Sequence, residues 1–232
     1  MSTRCLVTCE HGGNRVPAAY RRHFAGHESL LDTHRGYDPG ALALARRLAA
    51  ALGAPLFYAT VSRLVVDLNR SPGHPRLYSE ATRPALPAVR REILESHYLP
   101  YRQRVEGAAA EAIAEGEKVI HLSAHSFTPE LDGEERDADI GLLYDPARPG
   151  ETELARRWQA ALKDAAPELR VRRNYPYRGK SDGFTAYLRR RFPAEAYVGI
   201  ELEINQQQVF RDGKPWRQMQ ATITAALLQA LK

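Results

Sequence analysis

Short apolar runs alternate with amphipathic segments of helical period along the whole chain, and this alternation limits the fold more than any other feature. Such a succession buries its strands when neighbours lie mostly parallel and helices cover both faces of the sheet. The pattern predicts strands at about 4–10, 55–60, 64–69, 118–124, 139–145, 169–173 and 197–204. Helices fall at about 39–52, 86–115, 150–164, 182–191 and 214–231. In the first helix, Ala41, Leu44, Ala45, Leu48 and Leu52 form the apolar stripe, Asp38 is the expected N-cap, Pro39 fits the first turn and Gly53 stops it. Proline-rich 71–87 and acidic 130–139 read as loops. The expectation is one three-layer α/β domain over residues 1–232, with a mixed, mostly parallel central sheet flanked by helices.

The 232 residues are 44% hydrophobic and 26% charged, a balance that supports a core of ordinary size. No run of about 18 apolar residues marks a membrane span, and MSTRCLVTCEH lacks the features of a secretory signal, so a cytoplasmic protein is expected. The formal charge of +5 raises nucleic acid as a partner. Its arginines, however, are scattered over the chain with a few local clusters, and no aromatic-interleaved RNA motif appears, which favours a small anionic substrate over nucleic acid or membrane. Cys5 and Cys9 share one predicted strand at about 3.3 Å per residue, too far apart for a disulfide, and read as reduced, mostly buried thiols.

Polar residues gather where three strands end. VTCEHGGNRVP carries His11 at the break into Gly12–Gly13, KVIHLSAHSFTP carries His125, and AYVGIELEINQ carries Glu201 and Glu203. In open α/β sheets, functional groups collect beyond the carboxyl ends of the strands. A catalytic zinc site draws three ligands from His and Asp/Glu and keeps one position open. His11 and His125 are two candidates, and Asp38 is the third, with His34 and Asp32 as alternatives in LDTHRGYD. Glu201 and Glu203 alternate with apolar residues and share a face, so either can serve as the general base of a hydrolytic metal site. Glu10, the strand neighbour of His11, points to the opposite face on the same alternation and is set aside.

Arg63 and Arg70 bracket the apolar run of SRLVVDLNRS and suit a substrate carboxylate, which arginine grips in a bidentate fork. RNYPYRGKSDGFT, with Asn174 and Tyr177, reads as a loop that covers substrate. The chain has no GxSxG elbow and no phosphate-binding glycine motif, and Cys9 stands about 6–7 Å from His11 on a strand, which disfavours a thiol nucleophile.

Taken in order, CEHGGNRVP, GYDPGA, SRLVVDLNR, HSFTP, NYPYRG and GIELEINQ resemble the N-formylglutamate amidohydrolase family, over about residues 7 to 210. The family is similar to zinc carboxypeptidases and zinc-dependent cell-wall amidases. The resemblance therefore implies a zinc carboxypeptidase/phosphorylase-like fold and hydrolysis of the amide bond of an N-formyl or N-acyl amino acid at a divalent metal, most simply Zn2+. It matches His11 and His125 to the metal-binding histidines and Asp38 to the acidic ligand of the amidases. Asn14 occupies the carboxypeptidase position for the second ligand and is a poor donor, so this chain departs from that pattern. Glu203, just before Asn205–Gln206, matches the glutamate base, with Glu201 as the fallback. Arg63, Arg70, Asn69, Asn174 and Tyr177 are the expected substrate contacts. A cell-wall peptide as substrate, or a non-catalytic anion-binding relative, are the competing readings.

Overall fold

The computed structural model describes residues 2–211 and 213–232. Strands β1 (Thr3–Cys9), β2 (Leu56–Tyr58), β3 (Lys118–Phe127), β6 (Ile140–Leu143), β7 (Val171–Arg173) and β8 (Tyr197–Asn205) form the main sheet in the order β2-β1-β3-β8-β6-β7. The β2-β1-β3-β8 pairings are parallel, β6 runs antiparallel to β8, and β6 pairs parallel with β7. The sheet is thus mixed and mostly parallel. β4 (Glu130–Leu131) and β5 (Glu134–Glu135) make a small hairpin inside the acidic loop.

Helices cover both faces, as the two-sided apolar strands require. On one face α1 (Ala41–Leu52), α4 (Pro149–Ala165) and α7 (Lys214–Ala230) pack on Val7, Leu122, Leu142, Ile200 and Leu202. Trp158 is fully buried there and donates its Nε1–H to the Ile223 carbonyl, which ties α4 to α7. On the other face α3 (Leu99–Ala114) and α5 (Phe184–Arg191) pack with the 64–81 segment on Leu6, Val119 and Tyr197. α2 (Pro87–Ile93) joins α3 through a π-helical turn over Leu94–Tyr98, so the predicted 86–115 helix is nearly continuous. A short α6 (Gln206–Val209) follows β8.

Two local expectations fail for identifiable reasons. Asp38 does not cap α1: the helix begins at Ala41 after Gly40, whose φ of 79° is the left-handed conformation, and no side chain caps it. The Asp38 carboxylate is turned toward the histidines instead. The predicted strand at 64–69 is a run of turns, although Leu64, Val65, Val66 and Leu68 are buried. The hydroxyls of Ser79 and Thr82 donate to the carbonyls of Leu64 and Val65, supplying partners that a neighbouring strand would otherwise provide.

Candidate active site

Strand alternation delivers one polar row to the α3/α5 face. In β3 it contributes His121, Ser123 and His125; in β8 it contributes Glu201 and Glu203. The parallel register sets Ser123 beside Glu201 and His125 beside Glu203. In β1 the same face carries Leu6 and Thr8, and the next even position is Glu10. β1 ends at Cys9, so His11 sits in a turn beyond the ladder and is freed from alternation. Both Glu10 and His11 therefore reach the same cluster. This corrects the exclusion of Glu10, which carries the strand period past the strand's end. Gly12 and Gly13 permit that turn: a Cβ on Gly13 would lie 2.8 Å from the Thr60 carbonyl oxygen, and one on Gly12 2.9 Å from that of Ala59.

The cluster centres on Asp38 Oδ2. His11 Nδ1 lies 3.2 Å from it and His125 Nδ1 2.9 Å from it. Asp38 N donates to the His11 carbonyl at 2.9 Å, which fixes the two segments together. All three side chains are buried, and their ligand atoms lie within 4.8 Å of one another. Each histidine is held from behind by a second carboxylate: His11 Nε2 is 2.7 Å from Asp67 Oδ1, and His125 Nε2 is 3.2 Å from Glu10 Oε2. Arg63 bridges the carboxylates, donating to Asp38 Oδ1 at 3.2 Å and to Asp67 Oδ2 at 2.7 Å.

The donor set fits a divalent cation. With each outer nitrogen carrying its proton toward a carboxylate, both Nδ1 atoms are left as lone-pair donors facing Asp38. Burial pushes the Asp38 and Asp67 carboxyls up, but His11 and Arg63 outweigh it and hold both well below the usual carboxylate range. Glu10 is likewise held low, because its bonds and charge contacts with His125 outweigh burial. Without a metal, burial disfavours the charged His125 ring, but Asp38 and Glu10 outweigh it, hold the His125 proton and raise its pKa well above the usual histidine range. With both histidines neutral, as ligation requires, the three ionised carboxylates against the one guanidinium would leave a buried double negative charge, the complement of a divalent metal ion.

Glu203 has different surroundings. Its Oε2 is buried and has no hydrogen-bond partner among the described residues, and burial pushes its pKa up to about 8, with the charges of Asp38 and Glu201 adding to this and His125 and Arg63 opposing it. Glu201, two residues away, accepts a hydrogen bond of 2.5 Å from Thr185 Oγ1.

The cluster lies at the floor of a cavity of about 940 Å³ whose lining includes Arg63, Asn69, Arg70, Tyr177, Glu201 and Glu203. The expected substrate contacts divide. Arg63 is about a quarter exposed but engaged with Asp38 and Asp67. Arg70 donates to the Asp182 carbonyl at 2.7 Å, and its Nε is buried without a partner among the described residues. Asn69 accepts from the Phe184 amide at 2.6 Å at the start of α5. Tyr177 accepts from Arg136 Nη1 at 2.9 Å at the rim. Asn174 is not in the cavity lining; its Oδ1 accepts from the amides of Tyr144 and Gly179 and shapes the loop instead, which corrects its assignment to substrate. His34 lines the cavity, whereas Asp32 accepts from Asn14 Nδ2 at the surface; neither joins the three-ligand group. The Asn14 amide is thus spent on Asp32.

A mixed α/β sheet with a buried His/Asp cluster at its carboxyl edge is the setting in which the comparisons with known proteins fall. The family model for N-formylglutamate amidohydrolase matches residues 3–210, and the chain belongs to that family. It is an enzyme of the amidohydrolase class. A gene product of Agrobacterium tumefaciens of known structure is 31% identical, with a TM-score of 0.83 over 98% of this chain and 90% of that one. N-formylglutamate amidohydrolase from Ralstonia eutropha JMP134 is 20% identical, with a TM-score of 0.70 over 98% of this chain and 92% of that one, and shares the fold. Comparison with proteins of curated function gives no match. No helix among the described residues is long and apolar enough to cross a membrane.

Proposed function

We propose that this chain, as a single domain, is a metal-dependent amidohydrolase that cleaves the amide bond of an N-formyl or N-acyl amino acid, with N-formylglutamate as the model substrate. The observation that carries the reading is the buried group of His11, Asp38 and His125, with a Glu203 carboxylate oxygen that has no partner among the described residues in register beside it. His11 and His125 would hold a divalent metal, most simply Zn2+, through Nδ1, and Asp38 through Oδ2. A metal bound there supplies Lewis acidity toward water and the amide carbonyl.

The side chains do the rest. Glu203 accepts the proton of the attacking water and returns it to the departing amine nitrogen. Burial strengthens the hold of Glu203 on a proton, and a divalent metal beside it would weaken that hold, which together suit a group that both takes and gives a proton. Glu201, engaged by Thr185, supports the strand face and is the fallback base. Arg63, aligned by two carboxylates, presents its remaining edge to the developing oxyanion or to a substrate carboxylate, and Arg70, Asn69 and Tyr177 complete the polar wall for a small anionic substrate. We place the reaction in the cytoplasm, without nucleic acid or membrane as partner.

The test is hydrolysis of N-formylglutamate, N-acetyl amino acids and muropeptides by protein of known metal content. Turnover of the first or second set, abolished by chelation and by His125→Ala, is expected. Turnover of muropeptides alone would move the protein to a cell-wall substrate, and protein that takes up no stoichiometric divalent metal after reconstitution would refute the reading.

A further inference from the structure

We infer that Glu10 is a positioning residue that fixes the orientation and tautomer of His125 from behind the metal group, an inference that rests on the metal-dependent reading above. Glu10 is fully buried. A carboxylate in such a place costs several kcal/mol unless its oxygens are satisfied, so its partners show what it is for. Oε2 receives the Ser123 hydroxyl at 2.7 Å and lies 3.2 Å from His125 Nε2. Oε1 receives the Tyr101 hydroxyl at 3.0 Å. Ser123 Oγ is itself 2.9 Å from His125 Nε2, so carboxylate and hydroxyl together enclose the outer edge of the ring.

This arrangement gives the Nε2–H Glu10 Oε2 and Ser123 Oγ to point at, and so turns Nδ1 toward Asp38, where it would be the lone-pair donor to a bound metal. A carboxylate on the outer nitrogen also raises the basicity of the ligating one. His11 has its own counterpart in Asp67, but Asp67 is shared with Arg63, whereas His125 is the one residue that forms an ion pair with Glu10 among the described residues. The alternative role for Glu10 is mechanical, anchoring α3 to the sheet through Tyr101. The two roles separate because Tyr101 OH also has the Phe57 carbonyl at 3.2 Å and does not touch His125.

The experiment measures zinc affinity by chelator competition in the full chain, for wild type, Glu10→Gln, Ser123→Ala and Tyr101→Phe. Melting of the metal-free proteins is followed in parallel, and ¹⁵N shifts of the zinc-bound proteins show which nitrogen of the His125 ring carries the proton. Glu10→Gln is expected to weaken zinc binding roughly 10–100-fold, with Ser123→Ala giving a smaller loss and Tyr101→Phe none. Unchanged affinity in both Glu10→Gln and Ser123→Ala overturns the inference. Equal losses in Glu10→Gln and Tyr101→Phe also overturn it, in favour of the mechanical role. Should Glu10→Gln not fold, Ser123→Ala and the zinc-bound wild-type ring decide: full affinity in that variant, or a proton found on Nδ1 of the zinc-bound ring, overturns it. Wild type that binds no zinc refutes the metal reading itself, an outcome distinct from wild type that binds zinc with variants that bind it equally well.

Discussion

Glu201 and Glu203 stand two residues apart on one face of β8, and only their neighbours separate their roles. Thr185 occupies Glu201, while Glu203 has a buried oxygen without a partner among the described residues and sits opposite His125. Replacing Glu203 by Gln is expected to cut turnover by about 10²–10⁴-fold, the usual scale of general base catalysis, with bound metal unchanged. Steady-state assay with metal analysis checks this, and a dead Glu201→Gln beside an active Glu203→Gln would reverse the assignment. The residue types at strand ends made His11, Asp38 and His125 legible in the sequence. Asp67 and Glu10 were not: an acidic residue in an apolar run has no period that reveals its partner, and the alternation that puts Glu10 on the site face excludes it only if His11 is kept in the strand.

The elements behind the site are joined by buried polar contacts. Arg189 of α5 donates to Glu151 of α4 at 2.9 Å and to the Gly179 and Gly199 carbonyls, so one guanidinium holds two helices and β8. Glu151→Ala would leave that cation buried without its counter-charge and is expected to cost about 3–5 kcal/mol in denaturant unfolding. A loss under about 1 kcal/mol would mean that the carbonyls suffice. Asn69 acts on a smaller scale: its side-chain carbonyl satisfies the Phe184 amide of the first turn of α5. Asn69→Ala should therefore cost about 1 kcal/mol, as loss of a helix cap does, and an unchanged unfolding midpoint would argue against it. Element type was readable for the long segments, where the apolar period repeats several times. The 64–69 run misled because β-branched, buried residues serve a turn equally well once Ser79 and Thr82 supply the hydrogen bonds.

At the scale of the molecule, the polar row continues inward to His121, which is fully buried between Thr8 Oγ1 at 2.8 Å and Tyr197 OH at 2.6 Å. Burial pushes its pKa down to about 4; the Glu10 charge opposes this, and those of Arg189 and His125 add to it. An unfolded histidine titrates near 6.5, so between about 6.5 and 4 the unfolded chain binds a proton that the folded one refuses. Stability from this group is complete above about 6.5 and falls as the pH drops toward 4, by up to about 3 kcal/mol at about 1.36 kcal/mol per pKa unit. His121→Gln should flatten that part of the curve relative to wild type. Parallel curves for the two proteins, at equal metal content, would show that His121 does not carry it.

Local periods of two and about 3.6 were enough, from the chain alone, to determine the layered α/β class, the length and type of the long elements, and which residue types stand at the strand ends. Which carboxylate meets which histidine was decided only in three dimensions. Asp38 left its helix cap for the cluster, Glu10 and Asp67 took the outer ring nitrogens, and Asn174 went to its loop. Those choices depend on charge pairing and desolvation between residues far apart in the chain, and a local pattern carries no record of either.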